Sequence, residues 1–169
     1  AILAERRAPA RALDGSPALA WRDRLARRLR HAAVRLPAPP PCLPSRPMDI
    51  ATTSWLLEAL VPIVRAAGAA VMEVYRSDFS AQEKADGSAL TAADARAEAL
   101  ITRALLKLRP DLPVVAEEAV AGGLQPAAGR LFWLVDPLDG TREFVNRNGE
   151  FTVNVALIED GAPVLGAVL

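Results

Sequence analysis

The stretch WLVDPLDGTREF, residues 133–144, decides how the rest of the chain is read. Two acids, Asp136 and Asp139, stand three apart directly after an apolar run, with Pro137 between them and Gly140 and Thr141 behind. Pro137 fixes φ and Gly140 permits a conformation that other residues resist, so the backbone can fold back and aim both carboxylates at one point. The same residue types are ordinary turn formers, and a lone Asp-Pro-x-Asp-Gly is more often a turn than a site.

Working outward, apolar segments of strand length flank the motif: PVVAEE at 113–118, LFWLV at 131–135, FTVNVALI at 151–158 and PVLGAVL at 163–169. The last two are separated by EDGA, which reads as a hairpin. Upstream, Leu57, Leu60, Val61, Val64, Gly68, Val71, Met72 and Tyr75 recur at helical spacing. Thr53 or Ser54 would cap that helix, and Pro62 predicts a kink or a later start. A second amphipathic helix is expected from about Thr91 to Arg109, burying Ala97, Leu100, Ile101, Ala104, Leu105 and Leu108, with an Asp86-Gly87 turn before it. Two helices followed by a largely antiparallel sheet make an α+β layer.

Acids recur where these segments begin and end. Glu117 and Glu118 follow the first strand, Asp136 and Asp139 the second, and Asp94 lies in the first turn of the second helix. Strand ends are where loops carry side chains toward a shared site. Converging carboxylates repel unless a cation sits among them, and an all-oxygen set selects a hard ion, magnesium above all. Each acid also has a plainer explanation. Asp94 stands three residues after Thr91 and would close a capping box, and Glu117-Glu118 would suit a solvated loop. Their joint occurrence in this order is much harder to attribute to chance.

The formal net charge of zero conceals a division, since residues 1–47 carry ten Arg against three acids (+7) and residues 48–169 ten basic residues against seventeen acids (−7). Residues 1–47, ending in RLPAPPPCLPSRP, are expected to be an extended or disordered extension, or sequence upstream of a domain that starts at Met48. Within them, residues 18–36 could form a basic helix suited to a transit peptide, nucleic acid or anionic lipid. Cys42 and His31 are the only residues of their kinds, so residues 48–169 have no thiol or imidazole for nucleophilic catalysis or zinc. No apolar run long enough to cross a bilayer is expected, and the cytoplasm is the expected compartment.

With these residues in hand, the sequence resembles the magnesium-dependent, lithium-sensitive phosphatase superfamily that includes inositol monophosphatase and fructose-1,6-bisphosphatase, whose signature is D-P-[LI]-D-G-T with an upstream E-E. Within it, WLVDPLDGTREFVNRNGEFTVNVALIEDGAPVLGAVL is most similar to the CysQ-type 3'(2'),5'-bisphosphate nucleotidases. The resemblance runs from residue 48 to the end and implies the N-terminal helices and sheet of a layered α/β sandwich.

The resemblance implies that Glu117, Asp136 and the backbone carbonyl of Leu138 bind magnesium, with Asp139 shared by a second ion. Glu118 would reach a third through water. Glu117, Leu138, Asp139, Gly140 and Thr141 would lie against the substrate phosphate, and Thr141, paired with Asp94, would orient the attacking water. It implies hydrolysis of adenosine 3',5'-bisphosphate to AMP and phosphate, clearing a by-product of sulfate assimilation, in the cytoplasm or at the cytoplasmic face of the inner membrane, with no nucleic-acid partner. Arg142, Asn146 and Arg147 could serve the anionic substrate or be exposed loop groups.

A further metal-binding Asp of the family, in a Trp-Asp-x-Ala-Ala segment, would fall beyond Leu169, so weak or no turnover is expected of these residues alone. An inositol phosphatase is the second enzymatic reading. A non-catalytic remnant with an open apolar strand edge is the third.

Overall fold

The computed structural model describes residues 3–6, 50–83, 89–124 and 129–169. The basic segment at 18–36, Cys42, His31 and the Asp86-Gly87 turn lie outside them. The elements, in chain order, are β1 (Leu3–Arg6), α1 (Ile50–Tyr75), β2 (Gln82–Glu83), β3 (Ala89–Leu90), α2 (Ala92–Leu108), β4 (Val114–Ala116), α3 (Glu117–Ala121), β5 (Leu131–Asp139), α4 (Thr141–Val145), β6 (Thr152–Glu159) and β7 (Ala162–Val168).

Five strands form one sheet in the order β1-β7-β6-β5-β4, and β2 pairs with β3 apart from it. All neighbours in the large sheet are antiparallel except β4 and β5, which run parallel. The fold is α+β, as the element order implies. Alternation along the strands explains its two cores. Trp133, Val135, Val153, Val155 and Leu157 face α1 and α2, while Phe132, Leu134, Ala156 and Ile158 face the other side with Val115 and Val120. Strands buried on both faces read as continuous apolar runs, the pattern seen in LFWLV and VNVALI.

The helix α1 begins at Ile50, earlier than a Thr53 or Ser54 cap would allow, and runs through Pro62. Pro62 and Glu58 are both exposed, so the hydrogen bond that Pro62 cannot donate falls on the solvent side, where water can satisfy the carbonyl. Leu60, Val64, Gly68 and Val71 are buried as expected, but Leu56, Ala67 and Val74 complete the stripe while Leu57, Val61, Met72 and Tyr75 sit at its margin. By length and composition, Thr52–Tyr75 is apolar enough to cross a membrane, which corrects the expectation that no such run exists. Here that apolarity packs against α2, β6 and β7.

The helix α2 follows its predicted bounds closely and buries Ala97, Ile101 and Leu105, with Leu100, Ala104 and Leu108 half-buried. The β6–β7 turn places Asp160 at φ 50° and Gly161 at φ 76°, the two positive values that a tight hairpin of this hand requires. The outer edge of β7, left open by the sequence reading, is covered along Leu165–Val168 by β1.

Candidate active site

The geometry of the acidic motif rests on one irregularity in the β5–β6 ladder. Asp136 lies opposite Asn154 and Asp139 opposite Thr152, with a register shift between them. Two residues of β5, Pro137 and Leu138, therefore face a single residue of β6, which is a β-bulge. In a regular strand, residues three apart point to opposite faces. The extra residue changes that parity, so Asp136 and Asp139 share a face, as their partners Asn154 and Thr152 do. Leu138 is turned into the helix-side core. Pro137, lacking an N–H, suits a position where the ladder is broken.

The parallel register Ala116↔Val135 brings Glu117 alongside Asp136 at the same end of the sheet. Glu117 and Glu118 form the first turn of α3, and Glu118 N donates to Glu98 Oε2 at 2.8 Å. Glu98 was not anticipated as part of this region. Its signal was its place one turn after Asp94 on α2, the i, i+4 spacing that puts two side chains on one helix face.

Gly140 carries the turn out of β5 at φ 95°, and an added Cβ would come within 2.8 Å of Glu150 O. Thr141 then opens α4. Its hydroxyl donates to Leu138 O at 3.1 Å and lies 3.5 Å from Asp94 Oδ1. Asp94 is 0 % exposed and performs the capping role as well. Its Oδ2 accepts from Thr91 N at 2.8 Å and from Thr91 Oγ1 at 2.7 Å, while Thr91 Oγ1 accepts from Ala93 N at 3.1 Å.

Arg147 is engaged by the backbone and rings at the end of α1. One of its guanidinium nitrogens donates to Tyr75 O and the other to Ser77 O at 2.8 Å, with the guanidinium carbon 4.7 Å from the centroid of the Phe79 ring. Phe144 of α4 meets Tyr75, Phe79 and Phe151 at centroid distances of 5.1, 4.8 and 5.1 Å. The loop after the acidic motif is thus moored to the end of α1. Arg142 and Asn146 are exposed.

Among the described residues, no three His, Cys, Asp or Glu side chains form a group that could hold a metal ion. The donor chemistry nonetheless suits a hard cation. Glu117, Asp136, Asp139 and Leu138 O are all oxygen donors, and Asp136 is held at 4 % exposure. A cavity of about 750 Å³ lies elsewhere, between α2 and α3, lined by Ala95, Ala99, Leu106 and Glu118 among others. Asp94, Asp136, Asp139 and Thr141 do not line it.

The sequence model of the Inositol monophosphatase family matches residues 53–169. The chain belongs to that family. Among family members, it is 47% identical over 115 residues to the 3'(2'),5'-bisphosphate nucleotidase CysQ of Escherichia coli K12, covering 67% of this chain and 47% of that protein. In structure it is similar to CysQ from Bacteroides thetaiotaomicron, at TM-score 0.53 and 38% identity over 71% of this chain and 43% of the other. It is also similar to the extragenic suppressor protein suhB from Bartonella henselae, at TM-score 0.59 and 27% identity over 67% and 44% of the two chains. The chain spans about half the length of the relatives it matches.

Proposed function

We propose that this chain supplies the acid-bearing half of a magnesium-dependent phosphomonoesterase, and that its substrate is a 3'(2'),5'-bisphosphate nucleotide. The observation that carries the reading is the bulge at Pro137-Leu138, which gives Asp136 and Asp139 a common face beside Glu117. Glu117, Asp136, Asp139 and Leu138 O would hold magnesium, and Glu118 an outer position. Magnesium in such a site neutralises phosphoryl charge and makes water more acidic.

The chain's own residues have separate tasks in this reading. Gly140, whose missing side chain makes room for Glu150 O, lets the chain turn at a positive φ so that the backbone between Leu138 and Thr141 can face a phosphate. Thr141 orients the attacking water, and its Oγ would accept the water's proton as its own hydroxyl proton moves to Asp94 Oδ1, which burial keeps away from bulk solvent. No covalent phosphoenzyme is required, in keeping with the absence of Cys and His from residues 48–169. The nucleotide specificity is supported by the similarity to CysQ proteins and by RNGEFTVN after the motif. The cytoplasm is the compartment this substrate implies.

The test uses the polypeptide that its native cells make, defined by intact mass and terminal peptides, assayed with magnesium on adenosine 3',5'-bisphosphate and on inositol 1-phosphate. Faster hydrolysis of the nucleotide, abolished in Asp139→Asn, is expected. Preference for inositol 1-phosphate would move the reading to the inositol phosphatases, and no magnesium-dependent turnover of either would leave a non-catalytic remnant.

A further inference from the structure

Asn154 sits at the middle of a strand with Val153, Val155, Ala156, Leu157 and Ile158 as its buried companions. It is 0 % exposed, and neither its amide oxygen nor its amide nitrogen has a hydrogen-bond partner. A buried carboxamide in that condition is costly, and an apolar residue of the same shape would be more stable there. Position alone separates it from its neighbours. Its cross-strand partner is Asp136, and directly opposed residues of an antiparallel pair share a face, with Cβ atoms roughly 4.5–5.5 Å apart. That is within reach of an amide-to-carboxylate hydrogen bond. On β6, Asn154 is thus the buried polar side chain aimed at the acidic end of the sheet.

We infer that Asn154 is a positioning residue for the cation site, resting on the reading of Asp136 as a metal ligand. When a cation is bound, its Nδ2–H₂, unpartnered here, would turn to donate to one Asp136 carboxylate oxygen, leaving the other to face the cation. Outer hydrogen bonds of this type orient ligating carboxylates and change metal affinity by about 10–100-fold when removed. The amide is retained against the preference of its surroundings because it serves Asp136.

The test compares the wild-type chain with Asn154→Leu, titrating each with magnesium alone by calorimetry and following denaturation by urea. Without magnesium, Asn154→Leu is expected to unfold at higher urea, because it removes a buried amide that is unsatisfied in that state, yet it should bind magnesium about tenfold more weakly. In ¹⁵N-labelled wild type, the Asn154 side-chain amide resonances are expected to shift as magnesium is added, and this readout decides the matter if Asn154→Leu does not fold. Equal affinity in the two proteins, or an unmoved side-chain resonance on saturation, overturns the role of Asn154 and leaves the metal reading standing. No magnesium binding by wild type overturns both.

Discussion

Thr141 and Asp94 are 47 residues apart in sequence, and their side-chain oxygens lie 3.5 Å from each other, with the Thr141 hydroxyl also 3.1 Å from Leu138 O. A hydroxyl has one proton, so it is shared between a carboxylate and a carbonyl. Asp94 is divided in the same way, Oδ2 capping α2 and Oδ1 facing Thr141.

That division lets the two roles of Asp94 be separated. Asp94→Asn can keep an amide oxygen on the Thr91 donors while presenting an NH₂ to Thr141, turning acceptor into donor. Stability is expected to fall by no more than about 1 kcal/mol, while turnover falls roughly 100-fold or more. Thr141→Ser should keep activity and Thr141→Val should lose it. Urea unfolding alongside a phosphate-release assay checks both, and an Asp94→Asn enzyme with full activity would reduce Asp94 to a helix cap.

Two glycines with positive φ offer an internal comparison. Gly140 at φ 95° has Glu150 O within 2.8 Å of an added Cβ, whereas Gly149 at φ 80° has open space around it. Gly149→Ala is expected to cost about 1–2 kcal/mol for its left-handed backbone alone. Gly140→Ala must also move the 150–151 backbone and should cost at least about 2–3 kcal/mol. Thermal melts of the two variants measure the difference.

Arg147 is expected to matter for stability and not for substrate affinity. Removing its two carbonyl hydrogen bonds and its stacking on Tyr75 and Phe79 should cost about 1–2 kcal/mol in Arg147→Ala. Arg147→Lys, with charge but no planar fork, should recover only part of that. A KM for the nucleotide raised tenfold in Arg147→Ala, with unchanged stability, would restore Arg147 to the substrate site.

The turn after α2 carries a pH signature. Arg109 holds Asp111 through a bidentate pair at 2.8 and 2.7 Å. The side-chain hydrogen bond from Arg109 draws the Asp111 carboxyl below its ordinary value of 3.8. A depressed folded-state value gives stability that is present above pH 3.8 and lost as pH falls through the folded value. The same pair raises the Arg109 guanidinium further above its already high ordinary value, with no effect at usable pH. Because Asp111 is largely exposed, Asp111→Asn should cost only about 0.5 kcal/mol at pH 7 after solvent screening, with the deficit vanishing as pH falls through the depressed folded value. Urea midpoints measured across that range follow it.

Much of this was legible in the chain because local chemistry and tertiary packing agree. The stripes of α1 and α2, the DG hairpin and the strand–DPLDGT order are short-range signals, and Thr91-x-x-Asp94 is a capping box that the fold keeps. What was not legible depends on partners distant in sequence. The start of α1 at Ile50 and the tolerance of Pro62 follow from which face meets solvent. The bulge follows from how β5 pairs with β6, and a sequence does not show which residues are counted twice. Glu98 acquires its role only once α3 is packed against α2. Arg147 looks like a ligand for anions until the end of α1 and the residues just after it arrive to accept from two of its guanidinium nitrogens.

The Asp160-Gly161 turn also bears on the order of assembly. With both residues preset for a tight reversal, β6 and β7 can pair on the microsecond scale of isolated hairpins. The β1–β7 pairing, by contrast, must close a loop of more than 150 residues, and such closures come late. Between those events β7 presents a bare apolar strand edge, so refolding yield is expected to fall with protein concentration in that interval, and dilution is the natural remedy.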